Sequence, residues 1–273
     1  MLRPKSLPGI LLVAYGVTSK QGRQALEAFT GKVRSAFPGF PAHWAFTMRH
    51  PARGTAIPEE KDTGIHAGLS LLRGQGASHI AVQPLHITHG SEHAGLAVRV
   101  NAWRKANPDV AVAMGRPLLH SQTAMLRVIE TLASTRPPSP RPDETPVWIG
   151  HGNSSPGHNE YARMAAMAAG HVPPVIMGCV SGRPDMNEVI AALNEAGAAR
   201  VCLMPFFALS GHHAASDVGG KGDTSWRTRL EKNGFTCRAV SRGLVEYETF
   251  AAMWIDHLRD ALTNLEKTSG CRT

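Results

Sequence analysis

The sequence predicts an α/β fold made of two similar halves, each built on a parallel sheet. Three observations carry this reading. Short apolar, β-prone runs alternate with amphipathic stretches of helical length. Two long segments repeat each other's pattern. A proline-rich stretch lies between them. Alternation of this kind implies βαβ units and therefore parallel strands.

Taken in order, Ile10–Ala14 is expected to form a strand and Arg23–Phe37 a helix. A strand at His43–Thr47, a helix near Thr63–Gln75 and a strand at His79–Pro84 follow. The second half begins with a strand at Val147–Ile149 and a helix at Glu160–Gly170. Next come a strand at Val175–Gly178, a helix at Met186–Ala196 and a strand at Arg200–Pro205. The stretch Tyr247–Leu265 reads as a closing helix. Between the halves, Thr135–Pro146 holds five prolines in twelve residues. Such a run cannot sit in a helix or a central strand. The expected organisation is an N-terminal α/β half at 1–135, a linker at 136–146 and a C-terminal half at 147–273 that includes the closing helix.

The halves match in detail. ASHIAVQPLHITHGSEHA and AARVCLMPFFALSGHHAA share a strand, a proline, apolar residues and a glycine. Aligning Pro84 with Pro205 sets Glu92 on His213 and Ser91 on His212. Aligning Gly16 with Gly152 sets Tyr15 on His151 and Ser19 on Ser155. One internal duplication explains both matches.

Composition narrows the function. The chain carries a net charge of +8, which favours an anionic partner. Its Lys and Arg are scattered and only 6% of residues are aromatic, so a nucleic-acid platform is not expected. A small polyacidic ligand fits the charge. No stretch has the length of a membrane span and no signal peptide is evident, so no membrane association and a cytoplasmic location are expected. Cys179, Cys202, Cys237 and Cys271 form no CxxC pair and read as free thiols. No Walker A loop, GxGxxG or GxSxG motif occurs, so no nucleotide is expected.

Histidine is the outlier, with fourteen copies clustered at His86, His89 and His93, at His151 and His158, and at His212 and His213. In open α/β sheets, ligands bind beyond the carboxyl ends of the strands. His151, His213 and Glu92 all follow strand ends. If the halves face each other, the three converge on one cleft. Two imidazoles and a carboxylate would form an open site for a borderline divalent metal. A packed or hydrogen-bonded histidine remains the alternative for each. His86 reads as a core or loop histidine, and His89, His93 and His212 as either a secondary metal site or exposed loop residues.

The segments LLVAYGVTS, WAFT, AVQPLHITHGSEH, GHGNSSPGHNEY, AALNEAGAARVCLMPFFALSGHHAASD and DTSW resemble the class II tetrapyrrole chelatases. Within these, they are similar to the anaerobic cobalt chelatase (CbiK, sirohydrochlorin cobaltochelatase) family. The resemblance implies two facing, internally duplicated Rossmann-like halves of the chelatase type with the active-site cleft between them. It implies insertion of Co²⁺ into a sirohydrochlorin-type tetrapyrrole, with Fe²⁺ or Ni²⁺ as other metals. His151 and His213 would be metal ligands and proton acceptors, and Glu92 a metal ligand. Tyr15, Ser19, Arg49, Ser154, Ser155 and His212 would contact the substrate, with Arg53 and Lys221 as further cations near its acids. The chain departs from the family pattern at His93, His212 and Ser181, and at the residues following WAFT and the GHG turn. Alternatives are a ferrochelatase making sirohaem, a non-catalytic tetrapyrrole or metal carrier, and a phosphohydrolase, which would need an RHG turn absent here. A homo-oligomer is left open.

Overall fold

The computed structural model describes residues 7–17, 19–47, 64–152, 159–211 and 214–270. Strand β1 (Gly9–Ala14) buries all six of its residues, as a parallel strand covered on both faces must. It is followed by α1 (Lys20–Ala36), β2 (Ala42–Phe46), α2 (Ile65–Gly74), β3 (His79–Pro84), α3 (Ser91–Ala106), β4 (Ala111–Met114) and α4 (Gln122–Ser134). The second series is β5 (Glu144–Gly152), α5 (Glu160–Ala169), β6 (Ile176–Ser181), α6 (Met186–Glu195), β7 (Arg200–Phe206), α7 (Trp226–Lys232), β8 (Thr236–Ala239) and α8 (Glu248–Gly270). The chain thus forms two parallel four-stranded sheets with the same order, β2-β1-β3-β4 and β6-β5-β7-β8.

The duplication extends to register. In the first sheet Leu11 pairs with Val82 and Val13 with Pro84. Carried through the Gly16/Gly152 and Pro84/Pro205 alignments, these pairs become Val147 with Leu203 and Ile149 with Pro205, which is the pairing found in the second sheet. The same positions supply the two cores. Leu11, Val13, Ile80 and Val82 pack with Leu69, Leu72, Leu96 and Trp103. Val147, Ile149, Val201 and Leu203 pack with Val189, Leu193, Trp226 and Leu230.

Several elements go beyond the sequence reading. The helix α3 went unmarked because its pattern is blurred: His93 lies on the buried stripe with Leu96, Val100 and Trp103, while Val98 faces out. Strand β5 extends three residues upstream of Val147 and takes in Pro146, which was expected to lie in the linker. A proline is tolerated there because β6 begins pairing only at Val147, so Pro146 has a strand neighbour on one side, opposite Cys202.

The chain forms two compact units. One unit comprises Met1–His120 with Ala251–Thr273, and the other comprises Ser121–Phe250. Each series therefore gives its last helix to the other unit. α4 packs against α5. α8 is tied to the first unit by His257 Nδ1, 3.0 Å from the Arg116 carbonyl, and by an ion pair between Asp260 and Arg116. Residues of the proline-rich segment are held within the second unit. Arg238 donates to both carboxylate oxygens of Glu144 at 2.6 Å, and to the carbonyls of Pro138 and Ser139 at 3.3 and 3.2 Å.

Cys179, Cys202 and Cys237 are free and buried. Burial pushes their thiols up, to about 12 for Cys179 and about 11 for the other two. They are poor nucleophiles in this state. Among the described residues no helix is long and apolar enough to cross a membrane.

The Arg238–Glu144 pair is largely buried, with side-chain exposures of 20% and 5%. Arg238→Ala is expected to destabilise the protein by about 3 kcal/mol, because it leaves the Glu144 carboxylate buried and unpaired. A shift of the urea midpoint at unchanged slope measures this, and an unchanged midpoint refutes it.

Candidate functional site

His151 occupies the carboxyl end of the central strand β5, where its side chain is exposed. It was expected just beyond a shorter strand; it is the penultimate residue of a longer one. Its main chain is held from two sides. A Cβ on Gly150 would stand 2.4 Å from the Tyr161 ring, so glycine is required for Tyr161 to lie against the strand. A Cβ on Gly152 would stand 1.7 Å from the Ser181 carbonyl oxygen, and Gly152 has φ +80. Both space and backbone angle demand glycine there. The Tyr161 hydroxyl, wholly buried, hydrogen-bonds the His151 backbone, and burial is the main cause of its raised pKa. A functional side chain on such a support is aimed by rigid backbone and not by a mobile loop. The sequence reading missed Tyr161. The signal for it is Gly150, since a glycine inside a strand marks a close approach.

The first unit presents the matching strand end. Tyr15 follows β1 directly and is 53% exposed. Ser19, expected to bind substrate, caps α1: its Oγ accepts a hydrogen bond from Gly22 N at 3.0 Å. The loop after β3 is drawn toward β1 by a hydrogen bond from Leu85 N to Val13 O. It leads to α3, where Glu92 is exposed in the first turn, with its charge favoured by the helix dipole. Thr47, the last residue of WAFT, is buried at the end of β2, and its N donates to Ala14 O.

Where β3 passes into α3, three histidines gather. The His89 and His93 rings lie 4.8 Å apart and those of His86 and His93 5.8 Å apart, both edge to face. Burial, then the neighbouring His93 and Arg99, lower His86 to about 4. Burial, then His89, lower His93 to about 4. A separate pair, His120 and His257, stands 4.7 Å apart at α8, and His257 is also lowered to about 4, by burial and then by His120.

In the second unit, residues 210 and 214–218 flank the segment that aligns with Glu92. Buried Ser210 shares a 3.2 Å hydrogen bond with Ser241, and Ala214–Val218 form a π-turn. Such turns are rare and recur at functional sites. Arg49, Arg53, Ser154, Ser155, His158, His212 and His213 lie outside the described residues. Glu92 and Tyr15 therefore belong to one unit and His151 to the other. Among the described residues no group of three or more His, Cys, Asp or Glu donors converges closely enough to hold a metal.

Comparison with known proteins gives a consistent picture. The cobalt chelatase (CbiK) family model matches residues 8–263. A sirohydrochlorin cobaltochelatase, CbiKC, of Nitratidesulfovibrio vulgaris strain Hildenborough is 35% identical over 263 residues, covering 96% of this chain and 93% of that protein. A sirohydrochlorin cobaltochelatase of Salmonella typhimurium strain LT2 is 31% identical over 201 residues, 74% of this chain and 75% of that one. In fold, the chain is similar to SirB from Bacillus subtilis with Fe³⁺, at a TM-score of 0.64 and 18% identity, covering 96% of this chain and 98% of that one.

Two outcomes are expected. Gly150→Ala should cost about 1–3 kcal/mol, since the added methyl forces the Tyr161 ring away from β5; thermal melting checks this, and an unchanged Tm refutes it. Melting should also depend on pH. His86, His93 and His257 take up protons only near pH 4 when folded but near their ordinary value of about 6.5 when unfolded. The unfolded chain binds more protons in that window, so stability falls as pH drops from about 6.5 to about 4. His257→Gln should flatten part of that slope, and an equal slope in the variant removes His257 from the account.

Proposed function

The chain belongs to the cobalt chelatase (CbiK) family, and on that premise we propose that it inserts Co²⁺ into a sirohydrochlorin-type tetrapyrrole. The observation that carries the reading is the family match across residues 8–263, including the strand end that bears His151. The substrate is a ring rich in carboxylates, which suits the net charge of +8.

The chemistry sets what the residues must do. Insertion replaces the inner N–H protons of the ring with a divalent ion. The protein must present the ion to one face of the ring, accept the protons and hold the ring still. His151 and His213 take the roles of metal ligands and proton acceptors, and Glu92 ligates the metal and offsets its charge. A single imidazole nitrogen cannot bind a metal and a proton at once, so ligation and proton uptake occur in sequence or on different histidines. Imidazole and carboxylate together suit cobalt, and they also accept iron and nickel. Tyr15, Ser19, Arg49, Ser154, Ser155 and His212 are proposed to contact the ring and its acids; Ser19 would do so while capping α1. Holding ion and ring in register converts a bimolecular encounter into a local step, a large part of the available acceleration. No nucleotide enters this chemistry.

The test is an anaerobic absorbance assay with sirohydrochlorin and Co²⁺ or Fe²⁺. Wild type should convert the spectrum to that of the metallated ring, faster with Co²⁺. His151→Ala should lose on the order of 10²–10⁴-fold in rate with its circular dichroism unchanged. Full activity in His151→Ala would remove it from the mechanism. Tight binding of the ring without acceleration over the protein-free control would point to a carrier.

A further inference from the structure

We propose that Arg116 and Lys267 form a subsite that holds a carboxylate on the rim of the tetrapyrrole. This contact rests on the chelatase reading and extends it from the metal to the edge of the ring.

Arg116 stands beyond the carboxyl end of β4, the strand at one edge of the first sheet. Three features hold its main chain there. A Cβ on Gly115 would stand 1.9 Å from Oε1 of Gln83, so glycine is needed for the Gln83 side chain to lie where it does. Gln83 is fully buried, and its Nε2 donates to the Arg116 carbonyl at 3.2 Å and to the Pro84 carbonyl at 2.8 Å. His257, 7% exposed, donates from Nδ1 to the same Arg116 carbonyl at 3.0 Å. Burying a polar side chain is unfavourable unless it is bonded, and here two of them converge on one carbonyl. The result is a fixed backbone beneath a side chain that is 50% exposed. A binding group on such a support is held in place before its ligand arrives.

Beside Arg116, a cavity of about 270 Å³ opens between the end of β4 and α8. Arg116, His257, Asp260, Thr263, Asn264 and Lys267 supply its polar lining, and all belong to the first unit. Its charge is positive on balance. Arg116 and Lys267 are cations, and Asp260, the carboxylate among these residues, is already paired with Arg116. His257 is neutral at pH 7, because burial and then His120 lower it to about 4. A guanidinium has five N–H donors, so the pair with Asp260 leaves donors for a second carboxylate. A water molecule takes up about 30 Å³, so the cavity admits a carboxylate arm with solvent beside it.

The position suits a contact with the rim. The acids of a tetrapyrrole hang from its edge, away from the nitrogens that take the metal. Residues that hold them therefore stand to the side of residues that hold the ion. β4 is two strands from β1 in the sheet order, and at about 4.8 Å per strand its end lies about 10 Å to the side of the β1 end that precedes Tyr15. Both are carboxyl ends, where ligands of parallel α/β sheets bind. The chain leaving Arg116 is also tied to the loop that leads to Glu92. Leu118 N donates to His86 O at 3.0 Å and Leu119 N to Ile87 O at 2.7 Å.

Ring binding without metal tests the proposal. Quenching of protein fluorescence by sirohydrochlorin, under anaerobic conditions, gives the affinity of the full-length chain. Arg116→Ala should weaken binding roughly tenfold, the effect of losing a hydrogen bond to a charged group. Lys267→Ala should weaken it less, because an ammonium makes no bidentate pair. Asp260→Asn removes the acid that competes for Arg116 and should tighten binding, whereas a purely structural Arg116–Asp260 pair would give the reverse. Circular dichroism verifies that each variant is folded. Unchanged affinity in both Arg116→Ala and Lys267→Ala, or weaker binding in Asp260→Asn, overturns the proposal. Titration with inorganic phosphate covers a free anion as the occupant: if the two alanine variants lose phosphate binding yet keep their affinity for the ring, the proposal falls. Variants that bind the ring as wild type does, in a chain that metallates it, refute this contact alone. A wild type that binds the ring without metallating it refutes the chelatase reading, and the affinities of the variants still decide the contact. A wild type that binds no ring refutes both.

Discussion

Parallel strands cannot be joined by a tight turn, so each must hand the chain to a crossover and receive it again at the opposite end. Both sheets here obey that constraint throughout, and it gives each sheet two distinct ends. Strand-to-helix turns collect at the carboxyl end. Tyr15, Glu92 and His151 stand at strand ends or the turns that follow them for this reason, before any chemistry is considered. The central strands β1 and β5 make the arrangement rigid, being paired on both edges. At His151 the rigidity becomes specific, because Gly150 admits the Tyr161 ring and Gly152 admits the Ser181 carbonyl. Neither contact survives a side chain on the strand, so packing and the placing of His151 are one requirement.

Duplication explains how a chain of this length acquires two such ends. The register match of Val13 with Pro84 and Ile149 with Pro205 shows that the repeat reaches the hydrogen-bonded ladder as well as the sequence. The two copies differ at the ends of their strands. Where the first half has the exposed Tyr15, the second has His151. The first has Glu92 in the first turn of a regular helix, and the second has a π-turn at Ala214–Val218. The exchange of α4 and α8 between units means that neither series completes its own compact body. Two chain crossings, at residues 120–121 and 250–251, tie the units together covalently.

The histidines show that one residue type serves several ends in one fold. His151 is exposed at the end of β5, on a rigid support. His257 is buried and bonded to a main-chain carbonyl, which gives it a structural use in seating α8. Both ring nitrogens of His86 and Nε2 of His93 are buried without a hydrogen-bond partner among the described residues. Counting fourteen histidines in the sequence could not separate these cases, since all have the same chemistry until burial and hydrogen bonding distinguish them.

The sequence by itself determined the fold class and the internal repeat, and it singled out the candidate residues His151, His213 and Glu92. These are local or periodic signals: apolar strands, helical spacing and a glycine beside a histidine. It also carried the family resemblance, because motifs such as GHG and LMPFFALSGHHA are contiguous. Only the tertiary structure decided which unit each last helix joins, why Pro146 can lie in a strand, and what holds His151. Those answers depend on neighbours far apart in the chain, such as Gly150 against Tyr161, Arg238 against Glu144 and His257 against Arg116. A sequence lists such partners without saying that they touch; packing density and the need to satisfy buried polar groups decide that they do.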